Sequence, residues 1–102
     1  MQLIVHQNID AIRACCEARG VSKLVIFGSA TKDRGFDQRS DIDCVVEFKH
    51  DDPLTYGRAF FALLDDLQQI LGRKIDLITD RSIRNPAFRA EIRETGETLY
   101  AA

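Results

Sequence analysis

The sequence predicts an α+β fold, a small mixed β-sheet covered by helices, and three observations carry that reading. Leu24 to Phe27 and Ile75 to Ile78 are mainly apolar runs of strand length, and Ile42 to Phe48 alternates faces with a period of two. Phe60, Leu63, Leu64, Leu67 and Leu71 recur instead at three- and four-residue steps, the spacing of an amphipathic helix packed on a sheet. Strands interleaved with helices pack as layers around one core. With 102 residues, 45% of them hydrophobic, the chain is expected to form a single domain over residues 1–102.

The elements follow in order. Asn8 or Asp10 can cap a first helix running to about Arg19, with Ile9, Ile12 and Cys16 on its buried face and Gly20 as its stop. Lys23 to Phe27 then reads as a central strand covered on both faces. In the next strand Ile42, Cys44, Val46 and Phe48 share one face, while Asp41, Asp43, Val45 and Glu47 share the other. A slip of one residue would bury both aspartates, so the register is well specified. Asp52-Pro53 marks the start of the long helix, which runs to Gly72. A third strand surrounds Asp76, Pro86 opens a short helix with Phe88 and Ile92 on one face, and Thr98 to Tyr100 adds an edge strand. No repeat or low-complexity tract interrupts the chain.

Chemistry concentrates where the first strand ends and the second begins. A strand running into Gly28-Ser29 offers backbone N–H groups to a phosphate, because glycine lets the anion approach and a helix start leaves its first amides unpaired. Asp41 and Asp43 project to the same side with Cα atoms about 7 Å apart, a separation that suits hard divalent cations. A phosphate cradle beside an acidic pair is the minimum equipment for metal-assisted phosphoryl or nucleotidyl transfer. Asp76, alone between Ile75 and Leu77 in a strand expected to be covered by helices, is costly unless paired, hydrogen-bonded or bound to a cation. The plain alternatives are a solvated strand edge for the Asp-x-Asp and a helix cap for Ser29. Lys32 is either a solvent-facing lysine or a phosphate contact.

The stretch GSATKDRGFDQRSDIDCVVEF resembles the nucleotidyltransferase superfamily that includes DNA polymerase beta, kanamycin nucleotidyltransferase and poly(A) polymerases. Its short length points within that superfamily to the minimal nucleotidyltransferases (MNT), the antitoxin halves of HEPN/MNT toxin–antitoxin pairs. The resemblance implies a nucleotidyltransferase fold and Mg²⁺-dependent transfer of AMP from ATP, with two ions expected. By the same resemblance, Asp41, Asp43 and Asp76 are the catalytic and metal-binding residues, and Gly28, Ser29 and Lys32 bind the nucleotide. Asp76 would also take the acceptor's proton, and the acceptor would be a tyrosine hydroxyl of a HEPN RNase toxin. Lys32 and Asp33 stand where such chains commonly carry arginine and glycine, and Gly35 is placed to supply the turn that residue 33 does not.

Composition narrows the field. A formal net charge of −2 argues against a broad nucleic-acid footprint. Arg73, Lys74, Arg81, Arg84, Arg89 and Arg93 gather positive charge in the last third, read mainly as solvated positions. Cys15, Cys16 and Cys44 form neither a disulfide framework nor a CxxC spacing, which fits a cytoplasmic protein. The N-terminus lacks the pattern of a signal peptide or membrane anchor. His6 and His50 have no metal-like spacing, and no P-loop, GxSxG or dinucleotide glycine pattern occurs. A chain this short is expected to rely on a partner for its acceptor. Two rival readings remain at this level: a non-catalytic antitoxin that silences its toxin by complex formation, and a small-molecule nucleotidyltransferase. The nucleotide base and the oligomeric state, homo- or hetero-, stay open.

Overall fold

The computed structural model describes residues 3–28 and 41–102. Ser29 and Lys32, two of the expected phosphate contacts, lie outside the described residues, as do Asp33 and Gly35.

The helix expected from Asn8 or Asp10 to about Arg19 is present, and a short helix that was not expected precedes it. α1 (Leu3–Gln7) and α2 (Ile9–Ala18) meet at Asn8, whose side-chain amide donates to the Ile4 carbonyl at 2.7 Å. Engaged with the preceding helix, that side chain makes no cap on α2. Val5, Ile12 and Cys16 are the buried positions, and Ile9 is half-buried. Gly20 has φ +72°, and the His50 imidazole occupies the space where a side chain would begin, so this turn accepts little but glycine.

β1 (Val21–Phe27) begins two residues earlier than expected, β2 spans Ile42–Phe48, β3 Ile75–Thr79 and β4 Glu97–Ala101. They form one sheet in the order β3-β2-β1-β4, with β1 antiparallel to β2 and β4, and β2 parallel to β3. A parallel pair needs a crossover. Here that is α3 (Pro53–Leu71), which follows the N-cap Asp52, whose carboxylate accepts from the Thr55 amide at 2.9 Å, and ends at Gly72 with φ +62°.

The sheet has two unequal faces. Leu24, Ile26, Ile42, Cys44, Val46, Phe48, Ile75, Leu77 and Leu99 turn to the main core, where they meet Val5, Ile12 and Cys16 together with Leu63, Leu67 and Leu71 of α3. The opposite face holds a smaller cluster, Phe27, Val45 and Ile83, closed by Ile78 and by Phe88 and Ile92 of α4 (Pro86–Thr95). Phe27 and Phe88 pack edge to face, their ring centroids 5.7 Å apart. A ten-residue helix, capped at Asn85 by bonds from the Ala87 and Phe88 amides, covers only part of this face.

Two of the arginines expected to be solvated have structural duties. Arg89 Nη1 donates to the Asp80 carboxylate at 2.9 Å, while Nη2 donates to the Asp80 and Ile83 carbonyls, fastening the 3-10 turn Asp80–Ser82 to α4. The Arg81 guanidinium lies 3.5 Å over the centre of the Tyr56 ring. All three cysteines are free, Cys16 and Cys44 buried and Cys15 half-buried. Among the described residues no helix is long and apolar enough to cross a membrane.

Candidate functional site

The site forms because pairing across three strands aligns residues far apart in sequence. Phe27 of β1 stands opposite Asp43 of β2, and Asp43 stands opposite Asp76 of β3. Gly28 follows Phe27 directly, and Asp41 precedes β2 at the same end of the sheet. The sheet alternation sends Asp43 and Asp76 to the face carrying α4, away from the main core to which Ile42, Cys44, Ile75 and Leu77 turn.

Gly28 and Asp43 fit closely. The glycine has φ +73°, and a Cβ built on it would stand 2.9 Å from Asp43 Oδ2. An ordinary side chain would therefore be strained in backbone and would press on the carboxylate. The residue's smallness lets its backbone lie close to the Asp43 carboxylate.

Like charges crowd this corner. The Asp43 carboxyl is held above its usual range, first by partial burial, then by the negative charges of Asp76 and Asp41. Asp41 is half-exposed, and the Lys74 ammonium approaches its Oδ2 at 3.9 Å. The Ile42 amide donates to the Lys74 carbonyl at 3.0 Å, a backbone bond that ties the residue before β3 to the start of β2.

Asp76 departs from expectation in its surroundings. The sequence placed it under helices, where burial would be costly; it is exposed, while its neighbours Ile75 and Leu77 are buried. The reason lies in the sheet: β3 is an edge strand, and the helix on its second face packs around Phe27, Val45 and Ile83. A cleft of about 340 Å³ on that face lies at the other end, among Lys23, Val45, Glu47, Asp80, Arg93 and Thr98.

The donor set suits a hard divalent cation. Among the described residues no three side chains form a closed metal-binding group. Mg²⁺ does not require one, since it is commonly held by one or two carboxylates, with waters and substrate phosphates completing its shell. Oxygen donors from Asp43, Asp41 and Asp76, whose charges act on one another, fit that mode.

Lys74 is the neighbour of these carboxylates that sequence reasoning placed only among solvated charges. The signal was present in its spacing, two residues before Asp76, but the meeting with Asp41 depends on how β2 and β3 pair.

This mixed sheet with its helices is the fold of a nucleotidyl-transferring class of enzyme. The chain belongs to the nucleotidyltransferase domain family, which it matches over residues 9–98. Two proposed protein adenylyltransferases of Methanocaldococcus jannaschii are similar to it. One is 36% identical over 74 residues, covering 72% of each chain. Another is 39% identical over 74 residues, covering 72% of this chain and 71% of the relative. Among solved structures, a toxin–antitoxin with AMP-PNP superposes with a TM-score of 0.69 at 21% identity, over 93% of this chain and 74% of that one. A proposed minimal nucleotidyltransferase gives 0.68 at 22% identity, over 91% and 90%. An MNT antitoxin in complex with the tri-AMPylated HEPN toxin of Shewanella oneidensis gives 0.64 at 20% identity, over 95% and 72%. These structural likenesses establish a shared fold.

Proposed function

We propose that this chain, working as a single minimal domain in the cytoplasm, is an antitoxin that transfers AMP from ATP to a tyrosine hydroxyl of a cognate HEPN toxin. The observation that carries the reading is the row Phe27–Asp43–Asp76, which sets two carboxylates side by side next to Gly28 at the end of β1. The relatives' naming as protein adenylyltransferases and the toxin–antitoxin structures among the fold neighbours support the acceptor class.

Gly28 and Ser29 would hold the triphosphate, with Lys32 as a further phosphate contact. Asp41 and Asp43 would hold Mg²⁺, two ions being expected, and Asp76 would share the ion on the acceptor side. When bound, the metal supplies charge neutralisation for the triphosphate and its leaving group. Asp76, exposed on the edge strand, is reachable by a hydroxyl on another protein without opening the core. Its carboxylate would accept the hydroxyl proton as the oxygen bonds to the α-phosphorus and the bond to the β-phosphate oxygen breaks, releasing pyrophosphate.

The exposure of Asp76 favours weighing one second reading. An exposed aspartate costs the fold little, so its presence is compatible with an antitoxin that acts by binding alone. Labelled ATP with Mg²⁺ and the co-purifying partner separates the two. Label on a partner tyrosine is expected; neutralisation of the partner without label would establish the binding reading, and label on a small molecule would replace the acceptor.

A further inference from the structure

The acidic corner contains its own cation. Residues 74 and 76 alternate to the same side of the strand as it enters β3, and the β2–β3 pairing sets Lys74 beside Asp41 as it sets Asp76 beside Asp43. Among the described residues the result is a two-by-two arrangement, three carboxylates and one ammonium, with Lys74 Nζ 3.9 Å from Asp41 Oδ2. The Lys74 side chain is 77% exposed, so its charged end can swing away without disturbing packing. Among the described residues, burial and the charges of Asp76 and Asp41 act on Asp43. The Lys74 ammonium therefore serves the outer carboxylate, Asp41.

We infer that Lys74 is the resident counter-ion of this site, a positioning residue that holds Asp41 near its working place and gives way when a divalent cation arrives. This rests on the reading of Asp41 as a metal-binding carboxylate. An ammonium and a metal ion attracted to the same oxygen compete, so Lys74 sets the metal concentration at which the site fills. It also offsets the repulsion of Asp41 by the neighbouring carboxylates. The backbone bond from Ile42 to the Lys74 carbonyl fixes the lysine's origin, so the competition is local.

The test is calorimetric titration of the full chain with Mg²⁺ alone, at low salt, for the wild type, Lys74→Met, Lys74→Arg, Asp41→Asn and the double variant Asp41→Asn/Lys74→Met. Lys74→Met is expected to bind Mg²⁺ about two- to fivefold more tightly, the scale of an exposed ion pair. Lys74→Arg should stay within about twofold of wild type. The gain from Lys74→Met should vanish in the Asp41→Asn background, as required if the two side chains act on one another, and should shrink as salt screens the pair. A purely structural lysine would shift melting temperature in all backgrounds and leave Mg²⁺ affinity alone. Unchanged or weaker Mg²⁺ binding by Lys74→Met, with normal binding by wild type, would overturn the counter-ion role while leaving the site intact. No Mg²⁺ binding by wild type up to tens of millimolar would overturn the site itself and the inference with it.

Discussion

Asp43 and Asp76 stand directly opposite one another across the parallel β2–β3 pairing, two like charges placed as neighbours by the register of the sheet. Parallel pairing of two carboxylates destabilises a sheet unless something lies between them. Here one member of the pair, Asp43, lies close against Gly28, which has φ +73°.

Stability of the metal-free protein should therefore rise when Asp43 loses its charge. The Asp43 carboxyl has a folded-state pKa above its unfolded value, so the native state binds that proton more readily. The penalty is fully present above the raised pKa and fades as pH falls through it towards the unfolded value. Asp43→Asn is expected to raise the metal-free melting temperature by roughly 1–4 °C at neutral pH, from relief of a partly screened repulsion. The gain should disappear in acid, where the wild-type carboxyl is protonated. Melting curves across pH check this, and a lower melting temperature for the variant at neutral pH would contradict it.

Mg²⁺ with ATP should likewise stabilise the wild type. A ligand that binds only the native state at about 100 times its dissociation constant adds about 2.7 kcal/mol. Thermal shift with Mg²⁺ and a non-hydrolysable ATP analogue should rise by several degrees for wild type and by much less for Asp41→Asn/Asp43→Asn. Equal shifts would place the nucleotide elsewhere.

Asp76→Asn separates binding from chemistry. Because Asp76 is exposed, the variant should fold as the wild type does. Nucleotide binding should persist through Asp41 and Asp43, while transfer falls by at least about 10²-fold with loss of the proton acceptor. Mass spectrometry of a co-purified partner should show no added AMP, and the partner should remain toxic. Full protection of cells without modification would favour neutralisation by binding.

Gly28→Ala and Gly72→Ala form a matched pair. Both glycines have positive φ, +73° and +62°, so alanine at either should cost about 1 kcal/mol and lower the melting temperature by about 4–8 °C. At Gly72 a Cβ meets nothing within 4 Å, so transfer activity should be unchanged. At Gly28 the Cβ would press on Asp43 Oδ2, so activity should fall as well. Equal activity in the two variants would remove Gly28 from the site.

The elements themselves were legible in the sequence because each has a local cause. Asp52-Pro53 and Asn85-Pro86 start α3 and α4 by capping, Gly72 ends α3 in the left-handed region, and the alternation from Ile42 to Phe48 settles which face of β2 is buried. Asn8 stands at the N-cap position of α2 as expected, but its side chain bonds the Ile4 carbonyl and makes no cap. The candidates Gly28, Asp41 and Asp43 were named from the pattern at the strand ends and Asp76 from the family resemblance and its apolar neighbours, and the structure brings them to one end of the sheet.

Strand order was beyond local reading, since pairing is a contact between distant segments whose stability depends on what covers them. Only the tertiary structure decided that β3 forms an edge, that α4 stops short of covering Asp76, and that Lys74 meets Asp41. A residue's type and spacing determine what chemistry it can perform and which way it points along its own strand. Its exposure and its charged neighbours are set by the other strands and helices, and those set the charge balance at Asp43.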